Sequence, residues 1–220
     1  MVPRPTLIYD AGHDRGSRSC ITMNWLAHFA LSDPSPPFWV GSILPDLLRG
    51  GELAKMPPVF RLGIERHLWV DRFTDSHPIV RRSIERFSAP FRRWGGVLVD
   101  VFYDHFLAKD WSIYSAAPLE QFAGAVYRSF EKCREDLPAS TYACFEAIRG
   151  GDLLCSYREV GGVAAALARM SRRLRRSFDL SAAVSILEAQ YEGFHADFAE
   201  FYPEVVRGAW ASGGASCELT

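Results

Sequence analysis

The segment 97–107 is apolar almost all round, yet three ionisable side chains lie within it. Its apolar residues are Val97, Leu98, Val99, Val101, Phe102, Tyr103, Phe106 and Leu107. A helix that is hydrophobic on every side is buried, so this segment predicts a central helix of a packed domain. Asp100, Asp104 and His105 then need partners inside the protein, because an unpaired buried carboxylate costs several kcal/mol.

Imidazole and carboxylate groups recur in four short segments: 23–28 (MNWLAH), 43–46 (ILPD), 67–75 and 100–105. The third has the pattern His-x-x-x-Asp-x-x-x-Asp, and the fourth has Asp-x-x-x-Asp-His. A spacing of four residues places side chains on one side of a helix. These groups hold divalent metal ions, and a metal ion satisfies the charge of converging buried acids. We therefore predict a metal site formed by these segments.

His28 and Asp46 each allow a second interpretation. His28 closes an amphipathic opening helix, where a lone histidine is more often a satisfied core residue than a ligand. Asp46 follows Pro45 inside the apolar run 43–48, where an unpaired carboxylate is costly. It is also a candidate helix cap, since Asp after a helix break is a frequent cap. We rank metal ligation ahead of capping for Asp46.

On a helix, residues four positions apart differ by only about 40° around the axis, so His67, Asp71 and Asp75 can all line one groove. The alternative is that the acids form surface ion pairs with Arg66 and Arg72. For Asp75, an ion pair of this kind or a cap for the following helix explains the residue nearly as well as metal ligation does.

Apolar residues recur with the helical period throughout, and no segment keeps strand alternation. With 220 residues, 48% hydrophobic content and a net charge of −1, the chain is long enough for one well-buried domain. We predict an all-α, compact multi-helix bundle at 23–210, with an N-terminal extension at 1–22 and a C-terminal tail at 211–220. Predicted helices lie at about 38–48, 59–76, 78–93, 97–109, 118–136, 139–149, 152–174 and 180–208. An aromatic stripe in the last of them is interpreted as core packing.

The five cysteines are odd in number and form no C-x-x-C pair, which argues against a zinc ribbon and a disulfide framework. We therefore expect a reducing compartment, the cytoplasm. No apolar run approaches the roughly eighteen residues that a membrane span needs. We expect neither a membrane nor a nucleic acid as a partner.

Arginine is concentrated in two places despite the near-neutral total charge. One block is Arg81, Arg82, Arg86, Arg92 and Arg93, and the other is Arg172, Arg173, Arg175 and Arg176. Such blocks suit an acidic partner, although each block alone is more often a solvated helix face.

Six segments, in this order and at these separations, resemble the acyl carrier protein phosphodiesterase family: MNWLAHFAL, GSILPDLLRG, RHLWVDRFTDSHPIV, VDVFYDHFLAKDW, ARMSRRLRR and YEGFHADFAEFYPEV. The resemblance runs from Met23 nearly to the end. It implies an atypical, all-helical version of the histidine–aspartate (HD-type) metal phosphohydrolase fold. It also implies hydrolysis of the phosphodiester that joins 4′-phosphopantetheine to a serine of acyl carrier protein, with Mn²⁺ as the preferred metal.

Residue roles follow from the resemblance position by position. It implies an essential acid at Asp46, and a metal centre built from His28, Asp46, His67, Asp71, Asp104 and His105. The resemblance also implies that family members can carry a histidine at the position of Glu65, where a glutamate can still ligate a hard metal.

The expected mechanism is attack on phosphorus by a metal-activated water. Either His105 or His67 is the candidate general acid for the leaving serine alkoxide, and neither is preferred at this point. The second arginine block, Arg172 to Arg176, is expected to steer the acidic carrier protein. Two alternatives stay open: an HD-type phosphohydrolase acting on a nucleotide or phospholipid, and a non-catalytic binder of carrier protein.

Overall fold

The structure, a computed structural model, describes residues 25–172, 174 and 178–213, with only the backbone of 212 and 213. Within these residues it is helical and contains no strand, which confirms the all-α prediction. The α-helices are α1 (Trp25–Ala30), α2 (Pro36–Gly41), α3 (Leu44–Leu47), α4 (Gly50–Leu53), α5 (Arg61–Ser76), α6 (Pro78–Glu85), α7 (Gly95–Lys109), α8 (Trp111–Tyr114), α9 (Leu119–Lys132), α10 (Ala139–Gly150), α11 (Leu153–Ser156), α12 (Val160–Ser171), α13 (Val184–Ala189) and α14 (Tyr191–Gly213). Short 3₁₀ helices lie at Pro58–Phe60, Phe91–Trp94, Arg134–Asp136 and Leu180–Ala183.

Helix α7 is the central helix, as its apolar sequence predicts. It packs against α1, α6, α12 and α14. Leu98, Phe102 and Phe106 are completely buried. The aromatic stripe of α14 packs on the same helix, with Phe194 edge-on to Phe102 at a centroid separation of 5.3 Å. The interpretation of that stripe as core is confirmed for its buried members, Phe194, Phe198, Phe201 and Tyr202.

Helices α2 and α5 cross at two glycines, Gly41 and Gly63. A Cβ atom on Gly63 would lie 2.7 Å from the backbone nitrogen of Ser42 and 2.8 Å from the carbonyl carbon of Gly41, and it would clash with the carbonyl oxygen of Phe38. Only glycine permits such a close backbone approach. Gly63 is four residues before His67, so the crossing lies on the face of α5 that carries the predicted ligands.

Several predicted helices are shorter or more interrupted than expected. The predicted helix 78–93 ends at Glu85, because Pro90 lacks an N–H group and disfavours helical geometry at Ala89. The predicted helix 180–208 is divided into a 3₁₀ turn, α13 and α14. Helix α14 continues to Gly213, beyond the predicted end of the helix at 208 and three residues past the predicted end of the domain at 210. None of the described helices has the length and apolar character needed to cross a bilayer.

Candidate metal centre

Four of the predicted site residues meet where α1, α3 and α5 pack together. The Nε2 atom of His67 lies 3.0 Å from Oδ2 of Asp71 and 3.6 Å from Oδ1 of Asp46. The Nε2 atom of His28 lies 3.4 Å from Oδ1 of Asp71. The two imidazole rings stack with their centroids 4.1 Å apart and their planes at 17°. Each oxygen of Asp71 therefore faces a different histidine.

Two further hydrogen bonds orient this cluster. The Nδ1 atom of His67 donates to the carbonyl oxygen of Ser42 at 2.8 Å, because a carbonyl can only accept. The Nε2 atom of His67 is then the nitrogen left to bind a proton or a metal ion. The indole Nε1 of Trp25 donates to Oδ2 of Asp46 at 2.9 Å, which leaves Oδ1 toward His67.

Burial and the interactions among the four side chains of the cluster shift their pKa values in different directions. Burial, and then the neighbouring His67, lower the pKa of His28, so this imidazole is neutral at pH 7. Burial also lowers the pKa of His67, but the carboxylates of Asp71 and Asp46 outweigh it and raise that pKa overall. Burial opposes ionisation of Asp71, yet hydrogen bonds from both histidines hold its pKa well below the usual range. Burial raises the pKa of Asp46.

The donor set fits a divalent transition metal. One ligand atom from each of His28, His67 and Asp71 can be chosen so that all lie within 4.8 Å of one another. Nitrogen and oxygen ligands in this combination suit Mn²⁺ and similar ions. The Nδ1 atom of His28 is buried without a hydrogen-bond partner, so the histidine is not satisfied by the protein alone. Solvent reaches one side of the cluster, since the side chain of Asp71 is 44% exposed.

The surface ion pairs considered for the acids of α5 are absent among the described residues. Arg66 is buried and donates from Nη1 to the carbonyl oxygen of Leu31 at 2.7 Å. Arg72 donates from Nε to the carbonyl oxygen of Leu68 at 3.0 Å. Neither arginine neutralises Asp71, whose described partners are His28 and His67, and Asp75 is exposed on α5 without contact to the histidines.

The capping alternatives are also absent. The N-cap residue of α3 is Ile43, and Asp46 lies inside the helix with its side chain directed to Trp25 and His67. The N-cap residue of α6 is His77, whose side chain accepts from its own helix, so Asp75 does not cap α6.

Asp104 is buried but is not part of the cluster. Its Oδ1 accepts the backbone N–H of Ala27 at 2.9 Å, and its Oδ2 accepts that of Leu26 at 3.0 Å. Burial raises the pKa of Asp104 to about 7 despite these two donors. The carboxylate caps the first turn of α1, the helix that carries His28, so Asp104 helps to position His28 from outside the cluster.

His105 faces a different part of the core. Its Nδ1 donates to the carbonyl oxygen of Tyr157 at 2.8 Å, and its Nε2 is 2.9 Å from the hydroxyl oxygen of Tyr191. Burial lowers the pKa of His105. Both ring nitrogens are engaged with the protein, and the structure does not bring His105 to the four-residue cluster.

Two other predicted contributors also lie apart from it. Glu65 forms an exposed ion pair with Arg61 at 2.7 Å. Arg172 is exposed at the end of α12. The other arginines of that block, Arg173, Arg175 and Arg176, lie outside the described residues, so the docking role of the block stays a prediction.

One residue of the centre, Trp25, was not predicted to take part in it. Trp25 lies within the MNWLAH segment and precedes His28 by three residues, a spacing that places both on one side of α1. Asp100 belongs to the Asp-x-x-x-Asp-His pattern and was predicted to need a partner inside the protein; it lies partly buried on α7.

The sequence profile of the acyl carrier protein phosphodiesterase family matches residues 23–205, which include the whole cluster. The chain belongs to this family. A relative from Pectobacterium atrosepticum, named acyl carrier protein phosphodiesterase, is 29% identical over 186 residues, which cover 84% of this chain and 96% of the relative. A relative of the same name from Escherichia coli O45:K1 is 30% identical over 188 residues, which cover 85% of this chain and 97% of the relative. No solved structure significantly matches the chain, so the comparison with the HD-type fold stays a prediction.

Proposed function

We propose that this phosphodiesterase hydrolyses the bond between 4′-phosphopantetheine and serine in holo-acyl carrier protein, in a metal-dependent reaction that prefers Mn²⁺. The products are apo-acyl carrier protein and free 4′-phosphopantetheine. The observation that supports it is the convergence of His28, Asp46, His67 and Asp71 within the segment that matches the family. The likeness to HD-type phosphohydrolases and a cytoplasmic location are parts of the same proposal.

In this proposal His28, His67 and Asp71 hold the metal ion, with Asp46 beside them. A bound divalent ion supplies Lewis acidity toward the phosphoryl oxygens and lowers the pKa of a water molecule. The chain orients these groups before the metal binds, because Ser42 fixes the ring of His67 and the shared carboxylate of Asp71 fixes the two Nε2 atoms.

Asp46 is assigned as the general base that accepts a proton from the attacking water. Trp25 holds Oδ2, so Oδ1 is the oxygen free to accept a proton, and the raised pKa of the buried carboxyl makes it a better base than an exposed aspartate. The water oxygen attacks phosphorus, the bond from phosphorus to the serine oxygen breaks, and the alkoxide takes a proton from solvent at the open side near Asp71. His105, engaged with two tyrosines, is given a structural role.

Carrier protein is proposed to dock around this open side. Arg49 lies two residues after the end of α3 and Arg72 follows Asp71, and both side chains are exposed. Neither forms an ion pair with an acid in the part of the chain that the structure describes. Positively charged side chains at the opening of a site attract an acidic protein substrate and accelerate its association. The block from Arg172 to Arg176 is proposed to extend this surface.

The deciding experiment is mass spectrometry of holo-acyl carrier protein incubated with Mn²⁺-loaded enzyme. We expect conversion to the apo form together with released 4′-phosphopantetheine. Asp46→Asn should lose this activity while keeping the wild-type circular dichroism spectrum. Asp136→Asn, at an exposed acid in the 3₁₀ turn Arg134–Asp136, is the matched control and should stay active.

Two results would contradict the proposal. Hydrolysis of a nucleotide or phospholipid by the same preparation, with holo-carrier protein left intact, would favour the other phosphohydrolase activity. Tight binding of carrier protein without turnover of any phosphodiester would favour a non-catalytic binder.

A further inference from the structure

Five large hydrophobic side chains are exposed in the described part of the chain, and four of them lie on or beside α5. Val59 lies in the 3₁₀ turn that leads into this helix, and Leu62 and Leu68 belong to it. Trp210 lies on α14, which packs against α5. The fifth, Ile113, is on α8. Single exposed hydrophobic residues are ordinary, whereas several on one surface mark an interaction site.

Arg66 connects Trp210 to the exposed side of α5. Leu62 precedes Arg66 by four residues, a spacing that makes the two side chains neighbours on the helix. The guanidinium carbon of Arg66 lies 5.4 Å from the ring centroid of Trp210 and 5.6 Å from that of Phe38. The hydrophobic side chains at the start of α5 and near the end of α14 therefore border one surface.

Leu68 extends this surface to the open side of the metal centre. It precedes Asp71 by three residues and Arg72 by four, so all three side chains are neighbours along α5. The carbonyl oxygen of Leu68 accepts a hydrogen bond from Nε of Arg72 at 3.0 Å. We call Val59, Leu62, Leu68 and Trp210 the α5 strip. It begins at the first turn of the helix and ends beside the exposed part of Asp71.

Three arginines along the α5 strip form no ion pair with an acid in the described residues. Arg66 is buried and donates to a backbone carbonyl. Arg72 is exposed and also donates to a carbonyl. Arg207 is exposed on α14, three residues before Trp210 and therefore on the same side of that helix. The positive charge of these three side chains is available to a partner.

The acids on the same surface do not cancel this positive charge. Glu65 is already paired with Arg61 at 2.7 Å. Asp75 is exposed one turn beyond Asp71, past the end of the strip. Exposed apolar side chains flanked by unpaired cations suit a partner segment that is both apolar and acidic.

We propose that the α5 strip docks an acidic, amphipathic segment of the carrier protein, with apolar side chains covering Leu62 and Leu68 and carboxylates near the three unpaired arginines. This inference rests on the proposed function, which names carrier protein as the acidic substrate. Docking along α5 directs the phosphodiester to Asp71, because the strip ends there. Exposed arginines mainly accelerate encounter, whereas the apolar contacts of the strip slow dissociation.

The test replaces Leu62, the most exposed member of the strip, by aspartate. Leu62 is the second residue of α5, where an acidic side chain is favourable, so Leu62→Asp should melt like the wild type. Isothermal titration calorimetry measures binding of apo-acyl carrier protein, which has no phosphodiester to cleave. We expect a roughly tenfold or greater loss of affinity. The KM for holo-carrier protein should rise by a similar factor, with kcat within about twofold of the wild type.

Leu62→Lys separates the charge from the apolar contact. It should weaken binding less than Leu62→Asp, because its ammonium group attracts the acidic partner and its alkyl chain keeps part of the contact. If Leu62→Asp proves unstable, Val59→Asp changes another member of the strip, outside the helix, with the same expectations.

Ile113→Asp is the matched control. Ile113 is 72% exposed and Leu62 is 62% exposed, but Ile113 lies on α8, away from the strip. Both variants lose one exposed aliphatic side chain and gain the same charge, so a difference between them reports position on the surface. Ile113→Asp should keep the wild-type affinity and KM.

Three outcomes would contradict the inference, and they are distinguishable. Equal affinity and equal KM in Leu62→Asp and Ile113→Asp would overturn the strip while hydrolysis by the wild type leaves the proposed function in place. A wild-type dimer in sedimentation velocity that becomes monomeric in Leu62→Asp would also overturn it, because a second copy would then cover the strip. Absence of both binding and hydrolysis of carrier protein in the wild type would overturn the proposed function, and this inference with it.

Discussion

Gly63 is the position where a single methyl group should disturb the metal centre from a distance. In Gly63→Ala the new Cβ would lie 2.7 Å from the backbone nitrogen of Ser42, whereas ordinary contacts begin near 3.4 Å. Relief of that contact alone requires α5 to move away from α2 by roughly 0.7 Å. His67 follows Gly63 by one turn on the same face, so its bond to the carbonyl oxygen of Ser42 should lengthen from 2.8 Å toward the limit of a hydrogen bond.

The energetic consequence combines two opposing effects. Overpacking of this kind costs about 1–3 kcal/mol. The higher helix propensity of alanine returns about 0.5–1 kcal/mol. We therefore expect a net destabilisation of up to about 2.5 kcal/mol, which corresponds to a fall in melting temperature of up to about 10 °C for a protein of this size. Weaker orientation of His67 should lower Mn²⁺ affinity by about 10–100-fold.

The assay is urea and thermal unfolding of the metal-free protein, followed by Mn²⁺ titration. Gly161→Ala is the matched control, because Gly161 is exposed near the start of α12 and an added Cβ meets nothing within 4 Å. That variant should gain stability by up to about 1 kcal/mol and bind Mn²⁺ normally. If Gly63→Ala behaves like Gly161→Ala in both measurements, the glycine crossing does not set the geometry of the centre.

The remaining predictions concern the metal, the carrier protein and pH. Chelation should abolish activity, and Mn²⁺ should restore it better than Ca²⁺, because imidazole nitrogens disfavour calcium; full activity in metal-free protein, verified by metal analysis, would refute this. Alanine at all four arginines of the second block should raise KM for holo-carrier protein more than it lowers kcat, and should weaken the salt dependence of kcat/KM; an unchanged KM across salt concentrations would exclude docking there. The changed residues are Arg172, Arg173, Arg175 and Arg176. The pKa of Asp104 is raised in the folded protein to about 7 from 3.8, so the folded state binds the extra proton and this residue's contribution to stability rises as pH falls from about 7 to 4. The difference in unfolding free energy between wild type and Asp104→Asn, measured over that range, should have this slope, and a flat difference would contradict it.

Helical spacing within one element was a reliable guide to the centre. His67 and Asp71 are four residues apart on α5, and the structure places them on one side, 3.0 Å apart at their nearest atoms. The cost of burying a carboxylate pointed to Asp46, which is indeed held by Trp25 and close to His67. These inferences need only the helical period and the free energy of desolvation.

Contacts between distant elements were not accessible in the same way. Asp104 and His105 are neighbours in sequence, but consecutive residues on a helix point about 100° apart, so they face different parts of the core. The partners of Asp104 are backbone N–H groups of α1, which no side-chain pattern reveals.

The cap that Asp104 provides also bears on the order in which the protein folds. Helix α1 has six residues, too few to be stable alone. Two N–H groups of its first turn, those of Leu26 and Ala27, are bound by the carboxylate of Asp104, which lies 78 and 77 positions later in the chain. His67 and Asp71 can be aligned as soon as α5 forms, whereas His28 can be held in place only after α7 has docked. We therefore expect the proposed binding site for the metal ion to be completed late in folding. A partly folded chain should then bind the ion weakly, and the ion should stabilise the fully packed state relative to partly folded ones.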